Sequence, residues 1–150
     1  VYDRILIPTD GSEAAVEATA HALDLAKRHD ASLDILNIVD HERLGRMAPQ
    51  LGADQIRDAL TAEGERSTAL VADKADRAGI DTKTIVRDGI PADTIVEYAE
   101  NEGIDVIVMG TTGRSGLDRL LLGSVAETVI QQTQIPVFLV KQPQSDANSE

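Results

Sequence analysis

Short apolar runs alternate with amphipathic stretches along this chain, and the alternation predicts a repeating strand-helix order. Ile5-Leu6-Ile7 is nearly continuous and stops at Pro8-Thr9-Asp10-Gly11, the pattern of a buried strand running into a turn. Ser12 can cap the helix that follows and Glu13 complements its positive end; Ala15, Ala18, Ala22, Leu25 and Ala26 give it an apolar face. Leu33 to Val39 predicts a second strand. A polar stretch from His41 to Gln50 carries no clear periodicity and is expected to be irregular. A long helix then runs through Ile56, Leu60, Ser67, Val71 and Ala78 and closes at Gly79.

Thr82 to Arg87 alternates as a half-exposed edge strand does. Gly89-Ile90-Pro91 opens a helix through Ile95, Val96 and Ala99 that stops near Gly103. Asp105 to Met109 contains the solid run Val106-Ile107-Val108, suited to a strand covered on both faces. A helix from about Val125 to Gln132 and a last strand, Val137 to Val140, complete the domain. The order β-α-β-α-β-α-β-α-β implies one α/β domain, an open parallel sheet with right-handed crossovers and helices on both faces. Residues 1–141 form that domain, and 142–150 read as a disordered polar tail. In such a sheet a ligand binds beyond the carboxyl ends of the strands, where the strand order reverses. If the first and fourth strands adjoin there, Pro8-Thr9-Asp10 and Met109-Gly110-Thr111 face one crevice.

Composition narrows the chemistry. The chain has 150 residues, 42% of them hydrophobic, with no Trp, a single Phe and two Tyr, so the core must be aliphatic. The absence of Cys removes disulfides, thiolate catalysis and Cys-based metal sites. His21, His29 and His41 form no metal-binding spacing. No apolar run approaches the roughly 20 residues that span a bilayer, and the start lacks a basic leader, so a soluble, cytoplasmic protein is expected. Twenty-six acids against 14 bases give a formal net charge of −12, and four of the bases are Lys. Two readings of that acidity stand: adaptation to concentrated salt, where the Debye length shrinks to about 3 Å, or an ordinary acidic surface. Either argues against nucleic acid, which demands a basic footprint.

The chemistry concentrates in MGTTGRSGLDRLLLGSVA, residues 109–126. Gly110 ends a strand where a side chain would block a ligand, and Gly113 permits a turn and close backbone approach. Gly123-Ser124 opens a helix whose first amides lack intrahelical partners. Thr111, Thr112 and Ser124 add hydroxyls without bulk. Together these form an anion cradle.

Gly110-x2-Gly113-x9-Gly123-Ser124 resembles the nucleotide motif of the ATP-binding branch of the universal stress protein family. The opening ILIPTDGSE, the Gly89-Ile90-Pro91 helix entry and the terminal IPVFLVK agree, so the resemblance runs from about Tyr2 to Lys141. It implies a five-stranded sheet in the order 3-2-1-4-5, Rossmann-like in architecture. It also implies that Pro8, Thr9 and Asp10 sit at the adenine and ribose side, with Asp10 accepting from a ribose hydroxyl. Val39 and Met109 would flank the base. Gly110, Gly113, Gly123, Ser124 and Val125 would approach the ribose and phosphates, with Thr111 and Arg114 beside them. ATP with Mg²⁺ or Mn²⁺ on its phosphates is the implied ligand, and a homodimer through Val137 to Val140 the implied assembly. A stress-response role rests on the resemblance alone.

Each of these residues has a plainer reading. Asp10 can simply cap a turn, and Arg114 and Arg119 can be solvated loop charges. The net charge does not forbid an anionic ligand. Screening acts beyond about 8 Å, while each donor bonded to a charged group contributes about 1.5–3 kcal/mol. Two functions remain: a nucleotide-dependent switch or regulatory module, and a slow ATPase or autophosphorylating phosphotransferase. The first is favoured because no G-x-x-x-x-G-K-[ST] motif, no nearby lysine and no paired acids beside Asp10 are present, and no catalytic or metal-ligating residue is assigned.

Overall fold

A computed structural model describes residues 1–47, 49, 52–112 and 122–141. The elements, in chain order, are β1 (Arg4–Pro8), α1 (Glu13–His29), β2 (Ser32–Asp40), α2 (His41–Met47), α3 (Ala53–Arg77), β3 (Thr82–Gly89), α4 (Pro91–Asn101), β4 (Val106–Gly110), α5 (Ser124–Gln132) and β5 (Val137–Val140). The five strands are all parallel and lie in the order β3-β2-β1-β4-β5. This is the expected open α/β sheet, with its order reversing between β1 and β4. The tail after Lys141 lies outside the described residues.

Period-two alternation divides the strand side chains between two cores. Ile5, Ile7, Leu33, Ile35, Val106 and Val108 face α1 and α3, where they meet Ala18, Ala22, Ala26, Val71 and Ala75. Leu6, Leu36, Ile107 and Met109 face α4 and α5, against Ile95, Tyr98, Ala99 and Val129. Without bulky aromatics, density comes from close approach: α1 buries Ala14, Ala15, Ala18, Ala22 and Ala26 along one stripe. The α3 stripe is Ile56, Leu60, Gly64, Thr68, Val71 and Ala75, so Ser67 and Ala78 flank the buried face instead of centring it.

The segment expected to be irregular after β2 contains α2. A seven-residue helix has too few positions to display a period, and its buried Leu44 packs with Val39, Ile56 and Leu60 in a small third cluster. Asp40 starts it by accepting from the Glu42 N–H at 2.9 Å. Elsewhere only boundaries differ, by a residue or two: β3 reaches Gly89 and α5 begins at Ser124.

The ends of the sheet are built differently. At the amino ends of the strands, α1, α3 and α4 each finish with a residue in the left-handed region, Asp30 (φ 53°), Gly79 (φ 76°) and Gly103 (φ 69°). The next amide then donates back across the helix end: Ala31 to Ala26 O at 2.9 Å, Ile80 to Ala75 O at 2.9 Å, Ile104 to Ala99 O at 3.1 Å. Each helix thus returns to a strand through a tight turn.

The same end holds a buried polar cluster that the apolar pattern did not reveal. Asp34 stands near the start of β2 and faces α4. Arg4 donates to both of its oxygens, at 3.2 and 2.7 Å, and the Tyr98 hydroxyl donates to Oδ2 at 2.5 Å. Arg4 also donates to the Glu102 carbonyl at 2.6 Å, and Arg87 lies 5.0 Å from the Tyr98 ring centroid. Paired in this way, the buried carboxylate joins β1, β2 and α4.

Burial, and then the bond to Asp34, push the Tyr98 phenol well above its ordinary pKa. The folded state therefore holds this proton more tightly than the unfolded chain does. That contribution is complete below the unfolded value near 10 and is lost as pH climbs above it. Tyr98→Phe should cost about 1–2 kcal/mol at neutral pH by removing a donor from a buried carboxylate. It should also flatten the loss of stability above about pH 10. Urea unfolding at pH 8 and 10.5 tests both, and parallel losses in the two proteins would refute the assignment.

Candidate functional site

The carboxyl ends of β1, β2 and β4 open into a cleft of about 460 Å³. Every expected site residue that is described lines it: Pro8, Thr9 and Asp10 from the end of β1, Val39 from β2, Met109, Gly110 and Thr111 from β4, and Gly123, Ser124 and Val125 at the entry to α5. The order reversal between β1 and β4 is what makes room, because α1 and α5 leave the sheet on opposite faces there. Gly113, Arg114 and Arg119 lie outside the described residues.

The α5 side presents an uncapped helix entry. Gly123 is the N-cap and contributes no side chain to cap the helix. Its own N–H donates to Thr111 O at 2.6 Å, which ties the helix entry to the end of β4. The Thr111 N–H donates to Val140 O at 3.1 Å. Thr111 is 7% exposed, and its hydroxyl is buried with no hydrogen-bond partner among the described residues. A buried hydroxyl without a partner costs stability, so its place beside the uncapped helix entry needs a reason.

Asp10 caps a turn, the plainer of the two readings given to it. Its Oδ1 accepts from the Ser12 N–H at 2.9 Å, and it also lines the cleft. Ser12 caps α1 as expected, its Oγ accepting from the Ala15 N–H at 3.2 Å. Gly110 has a further reason besides the expected one. An added Cβ would first meet helix α1, at 2.8 Å from Ala14 Cβ and 3.1 Å from Ala14 O. Glycine is therefore required by the packing of α1 before any ligand enters.

On the α2 side the cleft has residues that sequence reasoning missed. Arg43 and Arg46 line it from α2, Glu63 and Gly64 from α3, and Asn37 from β2. Arg43 pairs with Glu63 at 3.4 Å, linking α2 to α3 across the rim. The signals were small: two arginines three apart just after a strand end, and one Asn within the apolar run Ile35-Leu36-Asn37-Ile38-Val39.

An open doubly wound α/β domain with a cleft at its switch point is thus the class that fold and site define. Residues 1–141 match the universal stress protein family, and the chain belongs to it. Universal stress protein MJ0531 of Methanocaldococcus jannaschii is 40% identical over 146 residues, covering 97% of this chain and 86% of that protein. The solved structure of MJ0577, a universal stress protein of the same organism, superposes with a TM-score of 0.86 at 33% identity, covering 96% of this chain and 99% of that one. A universal stress protein solved in complex with cAMP superposes with a TM-score of 0.66 at 27% identity, covering 95% and 98%.

Gly110→Ala should lower stability by about 1–3 kcal/mol through overpacking against Ala14, with no ligand present. Denaturant unfolding of the ligand-free protein measures it, and an unchanged midpoint would show that α1 can yield.

Proposed function

We propose that the cleft binds ATP and that occupancy makes the protein a nucleotide-dependent switch or regulatory module in stress response. The observation that carries this reading is the buried, unpartnered Thr111 hydroxyl beside the uncapped entry to α5. A helix N-terminus favours phosphate through its free amides and dipole, and the hydroxyl adds a donor in the same place. The family relative in complex with cAMP supports an adenine nucleotide as the occupant.

In this reading Asp10 accepts from a ribose hydroxyl, Val39 and Met109 flank the base, and Pro8 and Thr9 shape the turn between them. Gly110, Thr111, Gly123, Ser124 and Val125 approach the ribose and phosphates, joined by Gly113 and Arg114 from the sequence motif. Among the described residues no group of three or more His, Asp or Glu side chains could hold a metal ion. In this reading Mg²⁺ or Mn²⁺ is carried on the phosphates. Calorimetry with ATP, ADP, AMP and cyclic AMP tests the ligand. Phosphate release over many turnovers at more than about one per minute would replace the switch with an enzyme, since catalysed steps typically run at about 1–10³ s⁻¹.

Thr111→Val separates a binding role from a packing role. Removing an unsatisfied hydroxyl without changing shape should leave ligand-free stability equal or slightly raised. ATP affinity should fall about tenfold, the effect of one lost hydrogen bond to a charged group. Unfolding and calorimetry on the same variant measure the two, and unchanged affinity would refute the phosphate contact.

A homodimer through β5 belongs to the same proposal. Phe138 is 44% exposed on this edge strand, whose sole neighbour in the sheet is β4. An apolar edge of this kind calls for pairing or cover. Light scattering should give twice the chain mass at micromolar concentration, and Phe138→Lys should shift it toward the monomer.

A further inference from the structure

We propose that Asn37 is the positioning residue through which the cleft distinguishes ribose from deoxyribose, acting by way of the Thr9 backbone and not by touching the ligand. This rests on the nucleotide reading above and assigns a cause for its sugar specificity.

The register of β1 on β2 ends at Pro8 opposite Leu36. Beyond that pair the ladder is continued by one backbone bond and one side-chain bond. The Thr9 N–H donates to Leu36 O at 2.9 Å, and the Asn37 side-chain Nδ2 donates to Thr9 O at 2.8 Å. Both backbone polar groups of Thr9 are therefore held by β2 at the point where β1 turns away. Asn37 is 7% exposed, so its amide does this largely shielded from water.

The turn hangs from this anchor. Gly11 N–H donates to Thr9 Oγ1 at 3.3 Å, and Ser12 N–H to Asp10 Oδ1 at 2.9 Å. The Asp10 carboxylate is thus carried on a short loop whose first fixed point is the Thr9 carbonyl. Moving that carbonyl moves the group that would accept from the ribose.

The amide is held from its other side as well. Gly64 stands inside the 25-residue helix α3, where glycine is otherwise unfavourable. A Cβ there would overlap Asn37 Oδ1 and approach Asn37 Cγ to 2.8 Å. Glycine is what lets α3 close over the amide, so Asn37 is clamped between the Thr9 carbonyl and a helix backbone. Aspartate would set an anion against that carbonyl, and leucine would fill the space with no donor.

The test compares dissociation constants for ATP, 2′-deoxy-ATP and 3′-deoxy-ATP in the wild type, Asn37→Asp, Asn37→Leu and Gly64→Ala, with a melting curve for each. The wild type should prefer ATP over the deoxy analogue lacking the recognised hydroxyl by about tenfold, as one bond to a carboxylate implies. The variants should lose most of that ratio, ATP weakening while the analogue changes little. Gly64→Ala reaches the same readout with Asn37 intact, should the Asn37 variants fail to fold. Equal weakening of ATP and its analogues, or a ratio retained in every folded variant, would overturn the proposal, as would a wild type indifferent to the sugar. A wild type that binds no adenine nucleotide would overturn the underlying reading too.

Discussion

Close approach of helix backbone to strand is the constraint on which the structure depends. A core with neither Trp nor many other aromatic rings cannot reach interior density by filling wide gaps, so the layers must come together. The alanine stripe of α1 and the bare α-carbons of Gly64 and Gly110 are how this sequence does it. At both glycines the layers meet where the cleft is built, against Asn37 in one case and Ala14 in the other. Packing and site are therefore settled by the same residues, and a side chain added for one disturbs the other.

The two ends of the sheet divide the work. At the amino ends, Asp34, Arg4 and Tyr98 join β1, β2 and α4 through hydrogen bonds to one buried carboxylate. At the carboxyl ends the polar groups line an open cleft, and one of them, the Thr111 hydroxyl, lacks a partner among the described residues. A net charge of −12 does not by itself bar an anion from such a cleft, because donors act over hydrogen-bonding distance while charges beyond about 8 Å are screened.

Much of this was legible in the sequence because aliphatic runs and turn residues mark each strand and helix sharply. Val106-Ile107-Val108 could only be a covered strand, and Ser12 capped its helix as its position implied. The cleft followed from the strand ends, since Asp10, Val39, Met109 and Ser124 all emerge there. What stayed hidden depends on pairs remote along the chain. Helix α2 is held by Leu44 on a small cluster, which no periodicity within seven residues can announce. Asn37 and Gly64 explain each other only once α3 lies on β2. Asp34 likewise looks misplaced in an apolar strand until Arg4 and Tyr98 arrive from either side. Gly110 has a further reason that the sequence did not show, the close approach of α1 at Ala14.

The left-handed turns after α1, α3 and α4 have an evolutionary meaning. Each returns the chain to its strand with a fixed bond and no slack, so an inserted residue there would shift a strand register and with it every side chain's face. Changes of length fall more easily in a surface segment at the opposite rim, such as the one joining β2 to α3. Relatives built on this frame can thus vary the rim of the cleft while the strand register stays as it was.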